Sequence, residues 1–450
     1  MRPWSTIAKA WAGHAVGFDY LRHAGRQYAA FYDGERRLTL ASCSDGGDDW
    51  ALAHPPGIGR DRPFHKGPYQ GLEPLSNQLP WDSHNYVTMA IDQQGYLHVS
   101  GNMHCDPLVY YRSTRPHDIH HLERLDRMTG EAEDRCTYPL FLHNAAGELV
   151  FRYRQGSSGN GADYYNIYDA TSRIWRRLLD KPLLDGLGRM NAYAGEPVKG
   201  PDGFFHMIWV WRDTGDCATN HDLSYMRSPD LVHWSNAFGQ PLDLPVVLES
   251  DVVVDPVAAG GGLLNNKQWI GFDPARRPVI SYTRFDEAGH TQAYCARMED
   301  GEWLIRPVSN WRYRWEFSGG GCIPNGDEIR LAAVAPDRDG SLRLLFNHIH
   351  EGSGVWRLDP DHLSVVETLA AEPACPQELT RAESPYPGMQ VRILPARDND
   401  RRPVPGSVLR WETLGVNRDK PRTEWPPPSD LRCYHLDTED HEQRDEPYAT

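Results

Sequence analysis

No stretch of eighteen apolar residues occurs anywhere in this 450-residue chain, so no membrane-spanning helix is expected. Its eight cysteines (43, 105, 136, 217, 295, 322, 375 and 433) contain no Cys-x-x-Cys pair. They are read as small buried thiols rather than as a disulfide framework. Sustained apolar spacing of 3.6 residues is also missing, and helix content should be low. Positive charge is in deficit, with a formal net charge of −15. That balance argues against a nucleic-acid partner, while a local Arg/His pocket could still receive an acidic glycan. The first residues lack the apolar core of a secretory leader. The expectation is a cytoplasmic protein, or one whose leader falls outside this numbering.

What the chain holds in quantity is turn formers and aromatics: 40 Gly, 35 Pro, 21 Tyr and 15 Trp. Such a mixture suits many short strands joined by tight turns. A turn rich in Gly, Asp or Pro followed by an alternating strand recurs seven times. The strands cover residues 27–33, 96–102, 148–154, 204–213, 277–285, 341–348 and 404–412. Several copies run on into a third strand and a fourth bearing tryptophan, as in 166–175, 223–234 and 293–303. One four-stranded sheet cannot bury both its faces alone, but sheets packed in a ring can. The fold class is therefore all-β: a seven-bladed β-propeller of four-stranded antiparallel blades, spanning 1–450 as one domain. The last copy lacks a fourth strand before an acidic polar tail at about 437–450. Residues 4–11 are free to supply that strand and close the ring, which would protect open sheet edges.

Long Gly/Pro-bearing insertions at 57–80, 242–262 and 373–389 fall between copies, where they serve equally well as binding loops or as covers. At matched repeat positions stand His84 and His104, then Tyr138 and Arg154, then Tyr193 and Arg212. Asn85 adjoins the first of them. In a ring, equivalent strand ends converge on a common funnel. Imidazole, phenol and guanidinium groups together suit β-elimination from a uronic acid. A cation neutralises the carboxylate, a base removes the C5 proton, and an acid protonates the departing O4 oxygen. No metal or nucleotide is needed for those steps. The bland reading is that the same Tyr and Arg side chains pair in a strand-end network.

The run Ser83-His84-Asn85, then Asp92-x-x-Gly95-Tyr96-Leu97-His98-Val99-Ser100-Gly101-Asn102-Met103-His104, is distinctive. Cys136-Thr137-Tyr138-Pro139 follows, and then Phe151-Arg152-Tyr153-Arg154-x-Gly156-x-Ser158-Gly159-Asn160-Gly161. Together they resemble a group of seven-bladed propeller lyases: the ulvan lyases and the L-rhamnose-α-1,4-D-glucuronate lyases. Related α-L-rhamnosidases cut the same rhamnose–glucuronate bond. The resemblance extends from Trp11-Ala12-Gly13-His14 to the 311–321 stretch. It implies that His84 and Arg154 hold the carboxylate while His104 and Tyr138 handle protons. Arg212, Tyr193 and Asn85 are then candidate substrate contacts. It also implies a runner-up, a hydrolase acting through His14 on the opposite face of the ring, which the four or five matched funnel residues outweigh. Another alternative is a glycan-binding propeller without catalysis. The expected partner is an acidic rhamnose- and uronate-containing polysaccharide. Some relatives hold a structural zinc, for which His206, Cys217 and His221 are candidates. Asp213, Asp216 and Asp222 are candidates for a structural calcium.

Overall fold

The computed structural model describes residues 4–59, 75–321, 326–372 and 376–436. The acidic tail from 437, most of the 57–80 insertion, Cys322 and Cys375 lie outside the described residues. The fold is an all-β, propeller-like succession of antiparallel sheets. All seven recurring segments are strands flanked by partners: Arg26–Tyr32, Leu97–Gly101, Leu149–Ser157, Phe205–Arg212, Pro278–Phe285, Leu342–His348 and Pro403–Leu414. Their burial follows from their position. Phe205–Arg212 is buried at every residue, whereas the outer strand Val365–Ala370 is exposed at every residue. A central strand has sheet neighbours on both edges and packed layers on both faces, and an outermost strand meets solvent.

The ring closes through its N-terminus. Strand Trp4–Ala10 pairs antiparallel with Ser429–His435, with Trp4 opposite Tyr434 and Ala10 opposite Ser429. The sheets are less uniform than four strands each. First and last repeats share an eight-stranded sheet, joined where Leu21 meets Arg397 in a parallel bridge. The short strand His104–Asp106 leaves its own repeat and adds to the next sheet, placing His104 opposite Thr137. His104 therefore does not end the strand before it, as repeat matching implied.

A turn at 398–401 ties distant repeats together. The Asn399 side chain accepts from Ile91 N–H at 2.9 Å and donates to Ile91 C=O at 2.6 Å. The Asn399 backbone carbonyl lies 3.0 Å from His143 Nδ1, and Arg401 pairs with Glu196. Arg397 meanwhile grips Asp19 and donates to Met89 C=O at 2.6 Å. Phe18 stacks on Trp411 at 4.5 Å, so apolar packing also joins the first and last repeats. No helix among the described residues is long and apolar enough to cross a membrane.

Because Trp4–Ala10 covers an edge strand, deleting residues 1–10 should lower the melting temperature and produce concentration-dependent self-association. Calorimetry and size-exclusion chromatography read both, and an unchanged melting temperature would contradict closure by this strand.

Candidate active site

The four residues His84, His104, Tyr138 and Arg154 come together. His84 and His104 stack with ring centroids 4.1 Å apart, and Tyr138 lies 6.0 Å from His84. The Arg154 guanidinium sits 4.9 Å from the Tyr138 ring and 6.0 Å from the Tyr193 ring. Arg212 lies over the Tyr193 ring at 5.0 Å.

Asp82 sets the two imidazoles. One carboxylate oxygen accepts from His84 Nδ1 at 2.8 Å and the other from His104 Nδ1 at 2.6 Å. It also accepts the His84 backbone N–H at 2.9 Å. Burial would raise the Asp82 carboxyl, but the charges of His104 and His84 outweigh it and hold it well below the carboxylate range. An ionised carboxylate only accepts, so Nδ1 of His104 carries the hydrogen and Nε2 presents its lone pair. Burial, the neighbouring His84 charge and Arg154 pull His104 below its usual value, with Asp82 opposing. The neutral base form is thus favoured. Asp419 approaches from the last repeat. Its Oδ1 accepts Ser83 N–H at 3.2 Å and Ser83 Oγ–H at 3.1 Å, and its Oδ2 faces His84 Nδ1 at 3.3 Å.

Arg154 is the unusual group. It is almost wholly buried, and one terminal nitrogen donates to Thr137 Oγ1 at 3.1 Å and to Cys105 Sγ at 3.6 Å. Its Nε and Nη1 have no hydrogen-bond partner. The nearby acid Asp163 is already held by Arg152. A buried guanidinium without a bonded carboxylate is costly, and an incoming anion would relieve it. The local backbone makes room for it. A Cβ at Gly161 would lie 2.2 Å from Asn191 Oδ1 and 2.9 Å from Arg154 Cδ. Tyr138 follows from a bulge between Thr137 and Leu140 and adopts φ +58, which turns it out of the strand pleat. Burial would raise the Tyr193 phenol, but Arg154 and Arg212 outweigh it and hold it below its ordinary value. Its hydroxyl meets Ser158 Oγ at 2.6 Å.

Other expectations meet a different outcome. Asn85 is fully buried; its amide N–H ties the turn by donating to Asp82 C=O at 3.2 Å, and its Oδ1 has no hydrogen-bond partner. His14 is buried, accepts from Trp11 Nε1 at 3.0 Å, packs on Trp81 at 5.3 Å, and feels the charges of Asp82 and Asp419. Burial first, then Arg36, pushes its pKa down to about 3. The zinc trio does not converge. His206 pairs with Arg227 at one end of a hairpin while His221 pairs with Trp211 near the other. His206 bonds Tyr225 and Asp202, and His221 bonds Asp222 and Asp213. Asp216 spends an oxygen on the N–H groups of Ala218 and Gly319, while Asp213 and Asp222 both engage His221. Asp419 escaped sequence reasoning because 336 positions separate it from Ser83.

Residues 26–311 match the family model described as BNR repeat-containing family member. A short-isoform ulvan lyase of Alteromonas sp. (strain LOR) is 30% identical over 146 residues, 28% of this chain and 27% of that protein. A PL25 ulvan lyase of Pseudoalteromonas sp. (strain PLSV) is 24% identical over 218 residues, 41% of this chain and 43% of that protein. The chain thus matches less than half the length of these curated relatives. The fold superposes on a PL25 ulvan lyase structure bound to -[GlcA(1-4)Rha3S]-, with TM-score 0.59 and 16% identity over 96% of this chain and 95% of that one. The polysaccharide lyase Uly1 gives TM-score 0.59 and 13% identity over 96% and 92%. With its family model covering more than half of its length, the chain belongs to the BNR repeat-containing family.

Proposed function

We propose that this chain is a polysaccharide lyase, built as one seven-bladed ring, that opens an L-rhamnose-α-1,4-D-glucuronate linkage of an ulvan-type glycan by β-elimination. One observation carries the reading: the buried Arg154 guanidinium, with two nitrogens unbonded, beside a histidine poised as a neutral base. The uronate carboxylate pairs with Arg154, assisted by His84. Neutralising that charge acidifies the adjacent C5–H. His104 Nε2 takes the C5 proton, the electron pair forms the C4=C5 double bond, and the C4–O4 bond breaks. Tyr138 gives its proton to O4, which leaves on rhamnose. Tyr193 and Arg212 contact the neighbouring sugar. The relatives named as ulvan lyases, and the ulvan fragment in one similar structure, support this substrate class.

Incubation with ulvan should release oligosaccharides ending in a 4,5-unsaturated uronate, read by ultraviolet absorbance and mass spectrometry. His104→Ala should lower kcat by about 10²–10⁴-fold, while the His14→Ala variant retains the same unsaturated product. Free rhamnose with a saturated partner, or binding without turnover, would overturn the proposal.

Protonated His104 cannot accept the C5 proton, so kcat/KM should rise with pH along an acid limb and level off once the imidazole is neutral. Asp82 raises the His104 value, so Asp82→Asn should move that limb to lower pH while reducing the rate. A pH–rate profile checks the direction, and an acid limb displaced upward would contradict the assignment of His104 as base.

A further inference from the structure

Around Asp82 the geometry points to a second use of the same residues. We propose that Asp82, His84, His104 and Asp419 form a binding site for a divalent cation of the zinc class, and that occupancy switches the lyase off. The inhibitory half rests on the lyase reading, whereas the binding half does not.

Each of the four residues offers one ligand atom, and those atoms all lie within 4.8 Å of one another. Among the described residues no other group of His, Cys, Asp and Glu does so. Two imidazole nitrogens and two carboxylate oxygens match a four-coordinate zinc site, whose ligands sit about 2.0–2.2 Å from the metal. Closing on an ion needs small side-chain shifts: three of the contacts already measure 2.6, 2.8 and 3.3 Å.

An independent observation comes from Asp419. It is buried, its Oδ2 receives no hydrogen bond, and that oxygen aims at the cluster. Its facing nitrogen, His84 Nδ1, is committed to Asp82 at the shorter distance of 2.8 Å. Asp419 is also held at φ +57, a conformation that costs energy for a non-glycine residue, and Ser83 pins its other oxygen. A dication between the two buried carboxylates satisfies that oxygen and replaces the hydrogens on the two Nδ1 atoms, which leave as protons.

Inhibition follows from the tautomer. A metal on His104 Nδ1 leaves the remaining ring hydrogen on Nε2, the atom assigned to accept the C5 proton. The base is then blocked although the Arg154 pocket stays open. The site has four protein ligands and so no open position for a metal-bound hydroxide.

The test uses metal-free full-length protein. Calorimetric titration with Zn²⁺ should give one site, and Co²⁺ should give the intense visible bands of tetrahedral coordination. Asp419→Asn should weaken Zn²⁺ by at least about 10-fold, the size of effect that even outer partners of metal ligands show. His221→Ala, outside the cluster, should bind Zn²⁺ like the parent. On ulvan, the rate should fall in step with Zn²⁺ occupancy and recover on adding a chelator. Absence of Co²⁺ bands, or Zn²⁺ affinity unchanged in both Asp419→Asn and His84→Ala, overturns the site and leaves the lyase reading standing. Metal-free protein inert on ulvan but binding Zn²⁺ overturns the lyase reading alone. A rate that requires added Zn²⁺ overturns the inhibitory role.

Discussion

One carboxylate, Asp82, shared between two stacked imidazoles is the interaction on which the site depends. It is buried, so its negative charge demands donors, and three arrive from His84 and His104. That demand fixes the tautomer of each ring and leaves the far nitrogen of His104 as a lone pair. The imidazoles come from different local settings. His84 lies in the turn after Trp81, and His104 lies in a short strand lent to the next sheet. Only a ring of packed sheets brings such positions to one carboxylate while a third repeat supplies Arg154 and Tyr138.

The balance of charge then explains the division of labour. Asp82 and Asp419 gather around the imidazoles, while Arg154 lies against the Tyr138 ring and Arg212 against the Tyr193 ring. The acids orient the imidazoles. The cations lower the Tyr193 phenol, and two guanidinium nitrogens of Arg154 stay unbonded. The proposed reaction places a uronate between them, its carboxylate toward the cations and its C5–H toward the imidazoles. For the proposed acidic substrate of a protein of net charge −15, the local charge at Arg154 opposes the global one.

Much of this was legible in the chain. Alternation and turn chemistry located a strand in every repeat, from the fully buried Phe205–Arg212 to Leu342–His348, where buried and more exposed residues alternate. The missing fourth strand after residue 436 pointed to Trp4–Ala10, and the pairing is present. Repeat matching singled out His84, His104, Tyr138 and Arg154 together, although His104 reaches the cluster from a strand lent to the next sheet and not from the matched strand end. What repeat matching could not supply was register. His206 and His221 are near in sequence, yet an antiparallel hairpin carries them to opposite ends. Adjacency singled out Asn85, whose amide N–H closes the turn at Asp82. His14 resembled a second catalytic centre, and the burial that places it behind Trp81 is set by tertiary packing that no local pattern encodes. Asp419 lies in a turn of the last repeat with no motif around it, and only ring closure brings it to Ser83.

The most direct check is a crystal structure of the Tyr138→Phe variant soaked with an ulvan tetrasaccharide. The account predicts the glucuronate carboxylate on Arg154, with C5 about 3–3.5 Å from His104 Nε2, a distance suited to proton transfer. A sugar seated elsewhere on the ring, or a carboxylate turned away from Arg154, would contradict it.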